Sequence, residues 1–474
     1  MPYQLGKDIH ANMNYFNQLF KVDKSFDILC RTFQTGGKLA CLYFIDGFAK
    51  DEPLQKMLQK LDIVKAENFS KSAKEYADAN IGYIEVEIIK EEKAIVKNLF
   101  SGVPILLIDG FDEVIAIDAR TYPARGVEEP EKDKVMRGSR DGFVETIVFN
   151  TALIRRRIRS TDLVMKMMEV GASSKTDVVV TYMDGRIDER LLSRIITKLE
   201  GLNIDSLSMN QESLAESLYR GSWFNPFPKY KYSERPDTTA ACILEGSIAI
   251  LVDNSPAAMI IPSSIFDIVD GTDDYYFPPI TGTYIRLTRL IISMIAMILT
   301  PTFLLLMENQ QWIPEGFEFI IVKDPMNLPL IWQFLILELT IDGLRLAAVN
   351  TPSMLSTPLS VVAAIIIGDF TVSSGWFNAE AMLYMAFVVL ASYTQVSFEL
   401  GYALKFLRLI LLILTAIFGV WGYGAGIILI LVSVAFNKTI SGKSYLYPLI
   451  PFNGRKLMRK FFRVTLPNSK NQRL

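Results

Sequence analysis

The sequence contains little of the chemistry on which most active sites depend. It has a single histidine, His10, and three cysteines, Cys30, Cys41 and Cys242, in 474 residues. One histidine excludes a multi-histidine metal site and argues against a Ser–His–Asp or Cys–His catalytic system. The cysteines are odd in number and form no CxxC motif. Reduced thiols in a cytoplasmic section are therefore favoured over a disulfide framework or a zinc site.

Other signatures are also missing. The chain has no GxxxxGK[ST] phosphate-binding loop, and its formal net charge of −2 gives no overall reason to expect a nucleic-acid partner. The N-terminal run MPYQLGKDIHANMNYF lacks the apolar core of a secretory signal, so we expect the section that follows it to stay on the cytoplasmic side. The sequence predicts a protein that is not an enzyme and has no cofactor, no metal and no nucleic-acid partner.

Apolar residues make up 50% of the chain and are concentrated towards its end. Up to about Tyr284 charged and apolar residues alternate, whereas charges are sparse from Leu287 to Phe436. A helix of about 20 mostly apolar residues can cross the hydrocarbon core of a membrane. Four runs therefore predict spanning helices: Leu287–Met307, Leu328–Val349, Ala381–Leu400 and Leu404–Phe436.

The fourth run is too long for one upright span and short for two. Its glycines, Gly422, Gly424 and Gly426, predict a break, a steep tilt or a tight hairpin. The segment Thr351–Phe370 contains two prolines and only a short apolar run, so we interpret it as re-entrant rather than spanning.

Flanking charge predicts the orientation of these spans. The tail after Phe436 carries only basic charges, whereas the loop between the first two spans is acidic. Both ends of the membrane section should therefore lie on the cytoplasmic side, which requires an even number of crossings. Four spans meet that requirement.

The first half of the sequence contains a weak internal repeat. Leu39–Leu61 predicts a strand, a turn and an amphipathic helix, and Val178–Leu199 repeats that plan. Gly102–Asp118 predicts a hairpin, and Gly246–Ile261 is its counterpart. The order is the same in both copies, so we expect two related α/β subdomains.

The predicted organisation has five parts, and its fold class is an α/β soluble section of two related subdomains followed by an all-α polytopic membrane domain. An N-terminal segment covers residues 1–24, and the cytoplasmic subdomains cover 25–140 and 141–283. The membrane domain, with about four spanning helices and the re-entrant segment, covers 284–437. A basic cytoplasmic tail covers 438–474.

Charged residues inside the predicted membrane section are candidates for function, because ionisable groups at membrane depth are costly and face a bundle interior or a water-filled path. Glu338, Asp342 and Arg345 fall on one face of the second span. Two interpretations remain open for this face: it lines an ion pathway, or it holds the bundle together through an Asp342–Arg345 salt bridge. Asp369 and Glu399 are weaker pathway candidates, since they could lie at the membrane interface.

A second group of charges lies in the soluble section. The run Ile154–Arg159, IRRRIR, ends a predicted helix. Salt bridges to the acidic stretch GVEEPEKD, or simple solvation, are favoured over binding to anionic lipid or nucleic acid.

Two long segments carry a resemblance to a known family. EEPEKDKVMRGSRDGFVETIVFNTALIRRRIRS (Glu128–Ser160) and WFNPFPKYKYSERPDTTAACILEGSIAILVDNSPAAMIIP (Trp223–Pro262) resemble the hallmark segments of the A-subunit type of the GerA family of spore germination proteins. The likeness covers about residues 30–460. Nutrient-receptor A subunits tend to have FELLREAGIRLP where this chain has Ile341–Asn350, IDGLRLAAVN. AVNTPSMLSTPLS and SSGWFNAE make the chain more similar to the stage V sporulation protein AF branch of the family.

The resemblance implies a multi-pass protein of the endospore inner membrane that acts in germination. It also implies self-association, with A-type subunits forming a pentameric channel for monovalent cations, and pairing with smaller spore membrane proteins. The polar face of the second span adds a place for conduction, since a ring of acidic side chains favours cations.

Three functions remain open after this comparison. The first is an oligomeric cation-conducting channel gated through the cytoplasmic subdomains. The second is a non-conducting sensor or scaffold that relays a signal to another channel. The third is a secondary transporter, which would require an inverted repeat in the membrane section; the sequence shows none.

Overall fold

The computed structural model describes residues 3–49, 51–82, 85–119, 133–219, 224–350 and 371–463. Within this part the chain divides into two compact units. The first comprises residues 1–221 and 230–262, and the second comprises residues 222–229 and 263–474.

The first unit contains two five-stranded antiparallel sheets. Helix α1 (Ile9–Phe20) precedes the first sheet, whose strands are β1 (Ile28–Thr35), β2 (Lys38–Ile45), β3 (Val86–Ile89), β4 (Ile105–Ile108) and β5 (Val114–Ile117). Helices α2 (Asp51–Asp62) and α3 (Ala73–Asn80) lie between β2 and β3, and α4 (Glu92–Phe100) lies between β3 and β4. The strand order in space is β1-β2-β4-β5-β3.

The second sheet repeats this arrangement element by element. Helix α5 (Ile147–Arg157) precedes it, and its strands are β6 (Leu163–Val170), β7 (Thr176–Met183), β8 (Lys231–Ser233), β9 (Ile248–Val252) and β10 (Ala258–Ile261). Helices α6 (Glu189–Glu200) and α7 (Asn210–Leu218) lie between β7 and β8, and α8 (Pro236–Leu244) lies between β8 and β9. The strand order is β6-β7-β9-β10-β8. The predicted pair of related subdomains is confirmed.

Helices cover both faces of each sheet, which explains the sequence of the central strands. In the first sheet, Ile9 and Ile95 of α1 and α4 pack on one face and Leu61 and Tyr76 of α2 and α3 belong to the core of the other. The strands ILLI (β4) and IAILV (β9) are buried at every position. A strand covered on both faces is apolar throughout instead of alternating.

Both predicted hairpins are confirmed. Strands β4 and β5 pair across a turn at Asp109-Gly110, and β9 and β10 pair across a turn at Asp253-Asn254. Gly110 and Asn254 have positive φ values of 93° and 61°, which glycine and asparagine accept more readily than other residues.

One buried arginine joins the two subdomains. Arg155, in the predicted basic run, is 0% exposed and its guanidinium contacts the Asp27 carboxylate, with Nε 2.8 Å from Oδ2. Its Nη2 also donates to the Leu163 carbonyl at 3.1 Å, and its guanidinium lies 5.1 Å from the centre of the Phe100 ring. Arg155 is therefore a structural residue that links the start of β1 to α5 and β6.

The described acidic partners of this basic run, Asp27 and Asp141, lie outside the stretch GVEEPEKD. Arg157 pairs with Asp141 at 2.6 Å. Burial alone would raise the pKa of Asp141, but hydrogen bonds from Arg157 and Ser139 outweigh burial and lower it. Most of the acidic stretch GVEEPEKD lies outside the described residues. Because its side chain is buried, Arg155 cannot bind nucleic acid or lipid.

A second buried arginine belongs to the ERPD motif. Arg235 is 0% exposed, pairs with Asp237 at 2.8 Å and donates to the carbonyls of Asp133 and Ser139. Burial raises the pKa of Asp133, and the hydrogen bond from Ser233 and the nearby Arg235 charge only partly oppose it. Arg235, which lies in one of the segments that resemble the family, therefore holds the chain before α5 against β8 and α8.

The second unit is helical in its described part. It contains α9 (Ile265–Val269), α10 (Asp273–Tyr276), α11 (Pro279–Glu308), α12 (Leu330–Asn350), α13 (Ala379–Tyr393), α14 (Phe398–Ala435) and α15 (Gly454–Phe461). The predicted third run, Ala381–Leu400, is divided between α13 and the start of α14. Two described helices, α11 and α14, are long and apolar enough to cross a membrane, with mean hydropathies of 2.4 and 2.2.

Helix α14 is a tight hairpin. Its helical dihedrals are interrupted at Gly419, where φ is 53° and ψ is −131°. A Cβ on Gly426 would lie 2.5 Å from the Leu411 side chain, although 15 residues of straight helix span about 22 Å. The two arms therefore pack against each other. Of the three possibilities that the glycines predicted, the hairpin is the one observed, with its turn three residues before the first of them.

Helices α12 and α13 run in the same direction. Gln333, near the start of α12, donates to Asn378 before α13 at 2.7 Å, and Arg345, further along α12, contacts Ser392 near the end of α13. Asn327 Nδ2 donates to the Gly375 carbonyl at 3.1 Å, which places the chain after Thr371 beside the start of α12. Asn350 and Thr371 therefore lie at opposite ends of α12; the segment 351–370, predicted to be re-entrant, lies outside the described residues.

We expect replacement of Arg155 by Met to weaken the junction between the subdomains. Removing one partner of a buried ion pair costs about 3–5 kcal/mol, because Asp27 is left charged and unpaired. Hydrogen exchange of β1 and α5 in the full chain should accelerate accordingly. An exposed arginine of α6 provides the control: Arg194→Met should change the opening free energy by less than about 0.5 kcal/mol. Unchanged exchange in Arg155→Met would contradict the structural role of the pair.

The hairpin predicts opposite results for two glycines of the same arm. A Cβ on Gly422 would lie 1.9 Å from the Leu414 carbonyl oxygen, whereas nothing lies within 4 Å of a Cβ on Gly424. We expect Gly422→Ala to lower the thermal stability of the protein in detergent. Gly424→Ala should leave it unchanged or raise it, since alanine favours a helix over glycine by about 1 kcal/mol. Equal effects of the two substitutions would rule out the hairpin.

Candidate functional site

The predicted polar face of α12 meets two basic residues on the first arm of α14. Glu338 accepts hydrogen bonds from Arg408, with Nε at 2.8 Å and Nη2 at 2.5 Å from Oε1. Lys405 Nζ lies 3.3 Å from Glu338 Oε2 and also contacts the Asp342 carboxylate. We call these four residues, Glu338, Asp342, Lys405 and Arg408, the ion cluster.

Helical periodicity explains how the cluster forms. Glu338 and Asp342 are four residues apart and Lys405 and Arg408 are three apart, so each pair occupies one face of its helix. Arg408 Nη1 donates in addition to the Ala296 carbonyl in α11 at 3.2 Å. Three helices therefore surround the cluster, and two formal negative charges face two formal positive charges.

The two acids differ in exposure. The side chains of Glu338 and Arg408 are 8% and 7% exposed, whereas that of Asp342 is 31% exposed. In the described part of the chain, Asp342 Oδ1 has no hydrogen-bond partner. Glu338 is therefore enclosed by its partners, whereas Asp342 combines a partly exposed side chain with one buried carboxylate oxygen, Oδ1, that has no partner among the described residues.

Arg345 does not join the cluster. It contacts the Ser392 hydroxyl, and its guanidinium lies 5.3 Å from the centre of the Tyr393 ring. A cation over an aromatic face is stabilised by the ring quadrupole. The ion pair of Asp342 is formed with Lys405 and not with Arg345, so the expected internal bridge has a different basic partner.

The weaker candidates are elsewhere. Glu399 is exposed in the first turn of α14, away from the cluster's position one to three turns further along that helix. Asp369 lies outside the described residues. Neither is part of the described cluster.

Sequence reasoning missed Lys405 and Arg408, although the signal was present. Both lie in the predicted fourth span, where basic residues are as costly as the acids of the second span. Two basic residues three apart in one apolar run, and two acids four apart in another, are a complementary pattern. Comparing the charges of different spans would have named Lys405 and Arg408 as candidate partners, without selecting them over Arg345.

In the described residues, no group of three or more His, Cys, Asp or Glu could hold a metal ion. The ion cluster itself consists of ion pairs between carboxylates and basic groups, so the interaction that it offers is electrostatic.

Comparison with known proteins covers nearly the whole chain. The family model described as Bacillus/Clostridium GerA spore germination protein matches residues 14–473. Stage V sporulation protein AF of Bacillus subtilis (strain 168) is 33% identical over 466 residues, which cover 97% of this chain and 93% of that protein. Spore germination protein B1 of the same organism is 26% identical over 467 residues, covering 97% and 95% of the two chains.

One similar solved structure is the crystal structure of the N-terminal domain of the A subunit of the Bacillus megaterium spore germinant receptor GerK3. It is 26% identical, covers 55% of this chain and 97% of that chain, and has a TM-score of 0.44. The match of the family model over residues 14–473, together with the relative that is 33% identical, shows the family. This chain belongs to the GerA family of spore germination proteins.

Proposed function

We propose that the chain is a membrane subunit of a spore germination complex and that, as an oligomer, it conducts monovalent cations across the inner membrane of the endospore. Membership of the family supports the role in germination. The ion cluster supports conduction, because it places carboxylates among helices that are otherwise apolar. A pentamer and smaller spore membrane proteins as partners belong to the same proposal.

The directions of the helices support a multi-pass topology with both ends on the cytoplasmic side. The first arm of α14 runs in the direction of α11, since Arg408 contacts Ala296 and a Cβ on Gly419 would lie 3.9 Å from Glu308 Oε2. The second arm returns, since Tyr423 and Thr302 form a 2.8 Å hydrogen bond.

In this proposal Glu338, Asp342 and Arg345 border the ion pathway. Asp342 provides the negative field for cations, because its side chain is the more exposed of the two acids. The positive charge of Arg345, on the next turn of the helix, weakens that negative field. Glu338 takes part through its ion pairs with Arg408 and Lys405.

The observed pairing corresponds to a closed state. Lys405 contacts both acids, so it neutralises the carboxylate that would attract a cation. Opening requires the first arm of α14 to move its basic side chains away from α12, or a second subunit to provide another partner. A ligand or signal shifts this equilibrium only if it binds the two arrangements with different affinity.

We expect Asp342→Asn to reduce the cation flux of proteoliposomes that contain the purified full-length protein. Loss of one charge per subunit lowers the local cation concentration on the order of tenfold. The matched control is Glu216→Gln, an exposed acid-to-amide change in the soluble unit. Normal flux in a correctly assembled Asp342→Asn protein would contradict the pathway.

Lys405→Met should have the opposite effect. Without its ammonium group, Asp342 loses its cation while Arg408 still pairs with Glu338, so basal cation flux should rise. Lys405→Arg retains the charge and should keep flux near that of the unaltered protein. An unchanged basal flux in Lys405→Met, with the protein folded in the liposome membrane, would show that Lys405 does not close the path.

The enclosed Glu338–Arg408 pair favours a second candidate function, a scaffold or sensor that conducts nothing itself. Its enclosure by three helices is what a purely structural brace requires. Flux measurements separate the two functions, because a scaffold gives no cation flux in either the unaltered protein or the Lys405→Met variant.

A further inference from the structure

The described end of the chain, residues 436–463, combines exposed basic and exposed apolar side chains. It contains no acidic residue. Its exposed basic residues are Lys438, Lys443, Arg455 and Lys456. Its exposed large apolar residues are Phe436, Leu449, Ile450, Phe452, Met458 and Phe462. Water solvates the first group well and the second poorly, so this surface is suited to a partner that offers both an anionic and an apolar environment.

The basic and the apolar residues of helix α15 lie on opposite sides of its axis. At 100° per residue, its basic residues Arg455, Lys456, Arg459 and Lys460 occupy one arc, and Leu457, Met458 and Phe461 occupy the opposite one. None of its residues is buried, and Met458 is 58% exposed. Phe461 packs edge-on against Phe266, with ring centroids 5.8 Å apart, so the apolar side is covered only in part. A basic amphipathic helix with exposed apolar side chains is typical of segments that lie in the plane of a membrane interface.

Hydrogen bonds fix the position of α15 at the start of α11. Arg286 Nη1 donates to the carbonyls of Arg459 and Lys460 at 3.3 and 3.0 Å. Arg463 N donates to Thr283 Oγ1 at 3.1 Å, and Lys460 pairs with Asp267. Thr283 and Arg286 belong to the first turns of α11, immediately before its long apolar run. The basic surface is therefore held at the level where α11 enters the membrane.

Two of the cations lie close to one aromatic ring. Lys443 Nζ and Lys456 Nζ are 6.0 and 5.8 Å from the centre of the Tyr447 ring. Tyr447 therefore brings two cations from different parts of the chain into one region of this surface. Phe452, which is 75% exposed, is separated from Lys456 by only three residues of chain.

From these observations we propose that the surface formed by residues 449–462 with Lys443 binds anionic phospholipids of the inner leaflet. Phosphate groups pair with Lys443, Arg455 and Lys456, while Phe452, Met458 and Phe462 insert among the upper acyl chains. Charge complementarity and the adjoining apolar helices α11 and α14 identify the membrane surface as the occupant, because an acidic protein segment would leave the apolar side chains exposed. The inference does not depend on ion conduction.

Lipid binding to the purified full-length protein in detergent tests the proposal. Phosphatidylglycerol and phosphatidylcholine are titrated in parallel and bound lipids are counted by native mass spectrometry. Phosphatidylglycerol should bind more tightly. Arg455→Gln with Lys456→Gln should weaken its binding about thirty-fold, since each basic residue near an anionic surface contributes about a factor of five. Phosphatidylcholine binding should not change in that variant.

Matched variants separate charge from apolar contact and from folding. Phe452→Gln with Met458→Gln should weaken binding of both lipids. Arg455→Lys with Lys456→Arg preserves both charges and should retain phosphatidylglycerol binding. The control Arg190→Gln with Arg194→Gln removes two exposed arginines from α6 and should have no effect.

Three results would overturn the proposal. The first is undiminished phosphatidylglycerol binding in the Arg455→Gln, Lys456→Gln variant. The second is an equal loss in the α6 control, which would show a general charge effect. The third is competition by free glycerol phosphate at the concentration of the lipid itself, which would show a site for a soluble anion and not for a membrane surface.

Discussion

The cost of placing a charge among apolar helices is the constraint on which the helical unit depends. A carboxylate in such surroundings has to be paired, solvated through a water path, or protonated. Glu338 is paired: Arg408 and Lys405 enclose it, and Arg408 also reaches a backbone carbonyl of α11. One interaction therefore fixes the relative rotation of three helices. It also leaves Asp342, one turn further along α12, with one buried carboxylate oxygen that has no hydrogen-bond partner among the described residues.

The first unit contains two further buried charges, and each of them is paired. Arg155 and Arg235 are fully buried, and each is satisfied by a carboxylate and by backbone carbonyls. Both lie in segments that resemble family hallmarks. A buried arginine with several acceptors in fixed positions tolerates substitution poorly, because its planar donors match only one arrangement of partners. The arginines of these motifs have a structural role in the subdomains. The motifs do not themselves indicate a catalytic or binding site.

Much of the fold could be predicted from sequence because its signals are local. Asp109-Gly110 and Asp253-Asn254 mark hairpins through their turn dihedrals, and the repeated strand–turn–helix plan indicated the duplication. The hairpin in α14 was one of three possibilities, since glycines in an apolar run do not specify whether the chain breaks, tilts or turns, or where it turns. That position is set by the backbone of Gly419.

Only the acidic residues of the candidate site could be predicted from the sequence. Glu338 and Asp342 are conspicuous in an apolar run, and periodicity places them on one face. Their partners, Lys405 and Arg408, are more than 60 residues away along the chain, and no local rule selects them over Arg345. Long-range pairing depends on which helices become neighbours, which the order of the spans alone does not determine.

The central claim is that the Asp342 side of the ion cluster faces water on a symmetry axis of an assembled oligomer. A structure of the full-length protein in a lipid nanodisc tests it most directly. The account predicts a ring of subunits whose α12 helices surround an aqueous path beside Asp342. Asp342 facing lipid, or sealed by dry protein contacts with no water beside it, would contradict the claim.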